Sequence, residues 1–125
     1  MSITTDSDAV RREYEPSCAS IERRLEAVEA LKRSGIRVSV CVCPMLPMEH
    51  PERFGQLLDR IGVDAVAASY FHRSDRDGFT ANTRAGAFEL AQRHGWTHER
   101  FRDCADRLKA SCRAYARTGA AFGPA

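Results

Sequence analysis

The chain has 125 residues, the size of one small domain, of which 43% are hydrophobic and 29% charged. That balance excludes a disordered or collagen-like chain, and no apolar run approaches the roughly 18 residues that span a bilayer. Nineteen basic residues against seventeen acidic ones leave a formal net charge of +2. This argues against a dedicated electrostatic nucleic-acid binder while leaving room for a local basic face.

Residues 1–5 read as a short extended segment, and a polar stretch follows over 6–17. Pro16 disfavours helical backbone at Glu15, which places Glu15 in a loop or at an element boundary. Ser20 is a good N-cap, and Ile21, Leu25, Val28 and Leu31 then recur at helical spacing. Glu29 and Arg33 form an outward i,i+4 pair, and Gly35 ends the helix. Residues 36–43 alternate strictly. Ile36, Val38, Val40 and Val42 take one face, and Arg37, Ser39, Cys41 and Cys43 take the other. Pro44 and Pro47 break this strand, and Pro51 suits the first turn of a helix carrying Phe54, Leu57, Leu58 and Ile61. Gly62 stops that helix, and residues 63–71 form the next strand, lined by small side chains.

Residues 72–79 are a polar loop. Asp75 and Asp77 there lack the further acidic ligands of a calcium loop. A helix is expected over 81–93, with Phe88, Leu90 and Ala91 packing and Gly95 beyond its end. Trp96 and Phe101 flank Thr97 as a hydrophobic staple around an N-cap. The last helix then carries Phe101, Ala105, Leu108, Cys112 and Tyr115 on one face as far as Gly119. Its outer face holds Arg100, Arg102, Arg107, Lys109, Arg113 and Arg117, partly neutralised by pairs such as Asp103 with Arg107.

The repeated strand-helix order predicts an α/β fold. The expected architecture is a partial (βα) barrel of about three parallel strands with flanking helices and a C-terminal helical extension. Residues 1–79 would form the half-barrel, and residues 80–125 the C-terminal helices and tail. A complete barrel needs about 250 residues, and three parallel strands leave open edges. The expected partner is therefore a missing N-terminal half-barrel, or a second copy joined through exposed strand edges.

The five cysteines are odd in number, and no secretory signal precedes them. Reduced thiols in a cytoplasmic protein are the natural reading. Cys41 and Cys43 share a strand face, but no second pair completes four metal ligands, so no metal site is assigned.

The run SITT, followed by Glu15-Pro16, Ser20, Arg24-Leu25, Gly35-Ile36 and Pro44-Met45-Leu46-Pro47, resembles the C-terminal half of radical S-adenosylmethionine enzymes. Within them it resembles the spore photoproduct lyase-like branch, also labelled DNA repair photolyase. The resemblance covers about residues 2 to 72. It implies a cavity for S-adenosylmethionine beside a [4Fe-4S] cluster. By position it would place Ser2, Thr4, Arg24, Cys43, Pro44 and Met45 around that cofactor, and Tyr70, His72 and Arg73 toward the substrate, for which nucleic acid is a candidate. The family's CxxxCxxC cluster motif is absent. The chain is therefore expected to be a C-terminal fragment or truncated homologue, inactive alone, with its catalytic residues unknown. The alternative is a non-catalytic remnant that serves as an oligomerisation or partner-binding module.

Overall fold

The computed structural model describes residues 1–71 and 85–115. Its elements are α1 (Asp8–Tyr14), α2 (Ile21–Arg33), β1 (Ser39–Val42), α3 (Pro51–Ile61), β2 (Ala65–Ala68), α4 (Ala85–Arg93) and α5 (His98–Ser111). The sheet has two parallel strands, with Ser39 opposite Ala65 and Val42 opposite Ala68.

This corrects the expected three-stranded partial barrel. The described residues form five helices and one small two-stranded sheet. The segment at residues 1–3 meets β1 through one bridge, Ser2 with Cys41, and through the Met1 ammonium, which donates to the Ser39 carbonyl at 2.8 Å. There the Cys41 amide donates to the Met1 carbonyl at 2.8 Å, and the Ile3 amide donates to the Cys41 carbonyl at 2.9 Å. The ladder stops because Pro44 ends β1. The Thr4 carbonyl instead accepts from the Leu46 amide at 2.9 Å, so the N-terminal segment follows the proline loop rather than the strand. Both strands are also shorter than their hydrophobic runs. Ile36 lies beyond the end of the ladder and is 48% exposed, while Val38, Val40 and Val42 are buried.

Helix ends follow local chemistry. The Ser20 hydroxyl accepts from the Arg23 amide, and the Thr97 hydroxyl accepts from the Arg100 amide, each capping its helix. Gly62 closes α3 with φ 79°, a left-handed conformation that a side chain would strain. The polar stretch before Pro16 contains α1, which the apolar-periodicity reading passes over. Ser7 caps it, and Asp8 pairs with the buried Arg11 and the exposed Arg12.

The core gathers Val40, Val42 and Val66 from the sheet with Ile3, Val28, Phe54, Leu58 and Leu108. α3 packs chiefly on α5 and only lightly on α2. Gly55 lies at the α3–α5 crossing, where an added Cβ would meet the Ser111 hydroxyl and stand 3.1 Å from the Leu108 carbonyl. The last helix is shorter than expected, ending at Ser111 rather than near Gly119. Cys112 is extended, the Arg113 amide donates to Asp59 at 3.0 Å, and the Ala114 carbonyl accepts from Val66 at 2.8 Å. Tyr115 thus bridges the outer edge of β2 instead of lying on a helix face. Gly119, Arg117 and the tail lie outside the described residues, as do the loop at 72–79 and the first part of the helix expected over 81–93.

Candidate functional site

Most residues singled out for the cofactor meet at one end of the sheet, where α1 delivers Glu15 as its C-cap and α2 delivers Arg24 one turn in. Glu15 Oε2 accepts from the Thr4 hydroxyl at 3.0 Å and from Arg24 Nη2 at 3.1 Å. Arg24 also donates from Nη1 to the Ser2 carbonyl at 3.2 Å and from Nε to the Ala19 carbonyl at 3.0 Å. Arg24 is only 8% exposed and Thr4 only 1%. In the parallel bridge the Ser2 carbonyl points away from β1, so Arg24 occupies an acceptor that a further strand would use. The guanidinium blunts this sheet edge. The outer edge of β2 is engaged as well, at Val66, by the Ala114 carbonyl.

Cys43, Pro44 and Met45 stand beyond the C-terminal end of β1, with the Cys43–Pro44 peptide cis. Cys43 and Pro44 are half-buried, and Met45 is fully buried. The Met45 amide donates to the Ser69 carbonyl at 2.7 Å, and its carbonyl accepts from the Trp96 indole at 2.9 Å. Cys43 Sγ lies 3.6 Å from the Ala67 carbonyl oxygen. Cys41 is half-buried two residues away on the same strand face. Burial raises its thiol pKa, the nearby Cys43 adds to the rise, and the N-terminal ammonium opposes it. Tyr70 is half-buried after β2, its hydroxyl donates to the Trp96 carbonyl at 2.9 Å, and burial raises its pKa. His72 and Arg73 lie outside the described residues. The site therefore joins Ser2, Thr4 and Arg24 in one network and sets Cys43, Pro44, Met45 and Tyr70 around the strand ends.

No family model, curated protein or solved structure matches the chain. No helix among the described residues is long and apolar enough to cross a membrane.

The residues do not fit the group that the resemblance implies. The cluster motif is missing from the sequence. Among the described residues no three His, Cys, Asp or Glu side chains are placed to hold a metal ion. The Thr4 hydroxyl and the Arg24 guanidinium, which would have met S-adenosylmethionine, are both turned inward onto Glu15. The chemistry available here is that of a charged clamp.

Sequence reasoning passed over two further polar anchors. Asp6 accepts from the Glu49 amide at 2.8 Å and the His50 amide at 2.6 Å, at the start of α3, where His50 makes no side-chain cap of its own. Asp64 accepts from the Val38 amide at 2.7 Å and pairs with Lys32 at 2.8 Å, which hold its pKa below the usual carboxylate range. Neither carboxylate stands at a capping interval from its partner in the sequence, so spacing rules give no signal for them.

Proposed function

We propose that this chain is a non-catalytic portion of a protein resembling the spore photoproduct lyase-like radical S-adenosylmethionine enzymes. Any iron–sulfur chemistry would be supplied by residues outside these 125. The observation that carries the reading is the Glu15 clamp. It ties together pieces of the resemblance that are far apart in sequence: Ser2 and Thr4 of SITT, Glu15 of the Glu-Pro pair, and Arg24. Coupling between separated motif positions is what a shared ancestral wall around a cavity would leave behind. The proposed location is cytoplasmic, on the strength of five free cysteines. The proposed partner is the cluster-bearing half that the resemblance implies. Groups of this chain engage both sheet edges, at Ser2 and Val66, so that half would dock on another surface and neither it nor a second copy would add a strand there. Nucleic acid remains a substrate class that the resemblance alone suggests.

The test is the size and composition of the native protein in its own cells, read with an antibody against α5. A species well above 13.9 kDa, or a stable complex, that carries a CxxxCxxC segment is the expected result. A free 13.9 kDa species with no such partner would overturn this reading and favour the partner-binding remnant. Anaerobic reconstitution of the 125-residue chain with iron and sulfide should yield no [4Fe-4S] absorbance. A stoichiometric cluster would contradict the ligand argument.

A further inference from the structure

α2 and α3 diverge enough to leave an open groove between them. It consists of two hollows, of about 280 and 440 Å³, that share Leu57 and Arg60. The accessible floor is mostly aliphatic, with Leu25, Leu57 and Ile61 all half-buried over the buried Phe54. The rim is cationic. Arg53 and Arg60 are exposed, and neither makes a hydrogen bond or ion pair to another described residue. Lys32 and Arg33 extend the positive rim, although Lys32 is held by Asp64 and Arg33 lies 4.0 Å from Glu29. The acidic side chains in the groove are already engaged, Asp6 by backbone amides and Glu29 by Arg33.

We infer that this groove docks an acidic amphipathic helix of a partner protein. Charge complementarity selects the sign, because two unpaired arginines, Arg53 and Arg60, outweigh the one carboxylate, Asp6, in the same hollow. The apolar floor selects a protein segment over nucleic acid, because single-stranded nucleic acid is held by stacking on exposed aromatic faces. Here Phe54 is buried and the accessible floor is Leu25, Leu57 and Ile61, with one exposed ring, His50, at the end of the groove. Geometry selects a helix. Arg53 and Arg60 are seven residues apart on α3, about 10 Å along its axis, which matches carboxylates seven apart on an opposing helix. Leu, Ile or Val side chains between those carboxylates would cover Leu25, Leu57 and Ile61, as in other helix-in-groove interfaces. This inference is independent of the radical S-adenosylmethionine reading, since the groove lies on the helical side and uses none of the clamp residues.

The experiment uses the full chain and a fluorescein-labelled synthetic helix carrying a leucine stripe with glutamates seven residues apart. Its twin carries lysine at the glutamate positions. Anisotropy should show saturable binding of the acidic helix only, weakened at least tenfold in the double variant Arg53→Glu, Arg60→Glu. Both substitutions are at exposed positions, so circular dichroism and thermal melting should be unchanged. Equal binding of the two helices, or no loss in the double variant, overturns the inference. A labelled single-stranded oligonucleotide that binds through the same arginines, with the acidic helix failing to compete, assigns the groove to nucleic acid and overturns it too. So does a dimer in sedimentation velocity that the double variant dissolves, because the occupant would then be a second copy.

Discussion

Replacing Arg24 by methionine removes the clamp while keeping most of the apolar stem that the arginine packs. Three bonds disappear, to the Ser2 and Ala19 carbonyls and to Glu15. Ser2 and Ala19 are exposed, so water can recover much of what their carbonyls lose. The main cost falls on Glu15, whose carboxylate keeps the Thr4 hydroxyl but loses its counter-charge. Breaking a fully buried pair costs about 3–5 kcal/mol. The Glu15 side chain is 22% exposed, and screening brings the expected loss down to about 2–3 kcal/mol. Urea unfolding monitored by Trp96 fluorescence measures this directly, as a lower midpoint at unchanged slope. A cycle with Glu15→Gln should return a coupling of about 1.5–2 kcal/mol between the two side chains, the larger part of the single-variant loss. A loss below about 0.5 kcal/mol for Arg24→Met, with additive single variants, would refute the clamp as a structural element.

Acid should unfold the protein through its paired carboxylates. The hydrogen-bonded Arg11 guanidinium is the main cause that holds Asp8 down to about 2 against the ordinary 3.8. Asp64, held down by Lys32, and Glu52, held down by Arg107, are lowered in the same direction. A depressed folded pKa contributes stability above the unfolded value and loses it as pH falls through the folded one. Melting temperature should therefore drop between about pH 4 and pH 2, and less steeply in Asp8→Asn. A wild-type melting curve that is flat across that window would contradict the pairing. Gly55→Ala should destabilise by about 1 kcal/mol. Overpacking against α5 costs about 1–3 kcal/mol and the gain in helix propensity returns part of it. A net rise in the urea midpoint would show that α3 and α5 are not in close contact there. Iodoacetamide under native conditions should label exposed Cys18 first. The buried Cys104 and Cys112, whose thiol pKa values burial raises, should react only on unfolding, and peptide mapping of early labelling at either position would count against their burial.

The recognised and the missed positions of the clamp differ in how far each residue stands from its partner. Arg24 and Glu15 are nine residues apart, and the resemblance marks both. The carbonyl of Ser2, which Arg24 grips, is 22 residues away, and no pattern in the sequence announces it. Asp6 reaches amides more than forty residues ahead, and Trp96 reaches the Met45 carbonyl across 51. The α1 helix escaped for a different reason. It is short and mostly polar, held by Ser7 and by Asp8 pairing with Arg11 and Arg12, and it offers only Val10 and Tyr14 to the core, too few for an apolar period to read.

By itself the sequence determines where α2 and α5 begin and where α2 and α3 end. Ser20, Thr97, Gly35 and Gly62 act on backbone groups within a few residues, and those bonds form wherever the segment sits. It also sets which face of residues 38–42 is buried, because strand alternation is a local geometric fact. Only the tertiary structure decided how many strands exist. A strand needs a sustained pairing partner, and residues 1–3 hold β1 at Ser39 and Cys41 only before the chain turns off along the proline loop. It likewise decided that Tyr115 joins a sheet edge rather than a helix, because Asp59 and Val66 capture the backbone of residues 113–114. Propensity alone would have carried that helix onward. The hydrogen bonds that stopped it come from residues about fifty positions earlier in the chain.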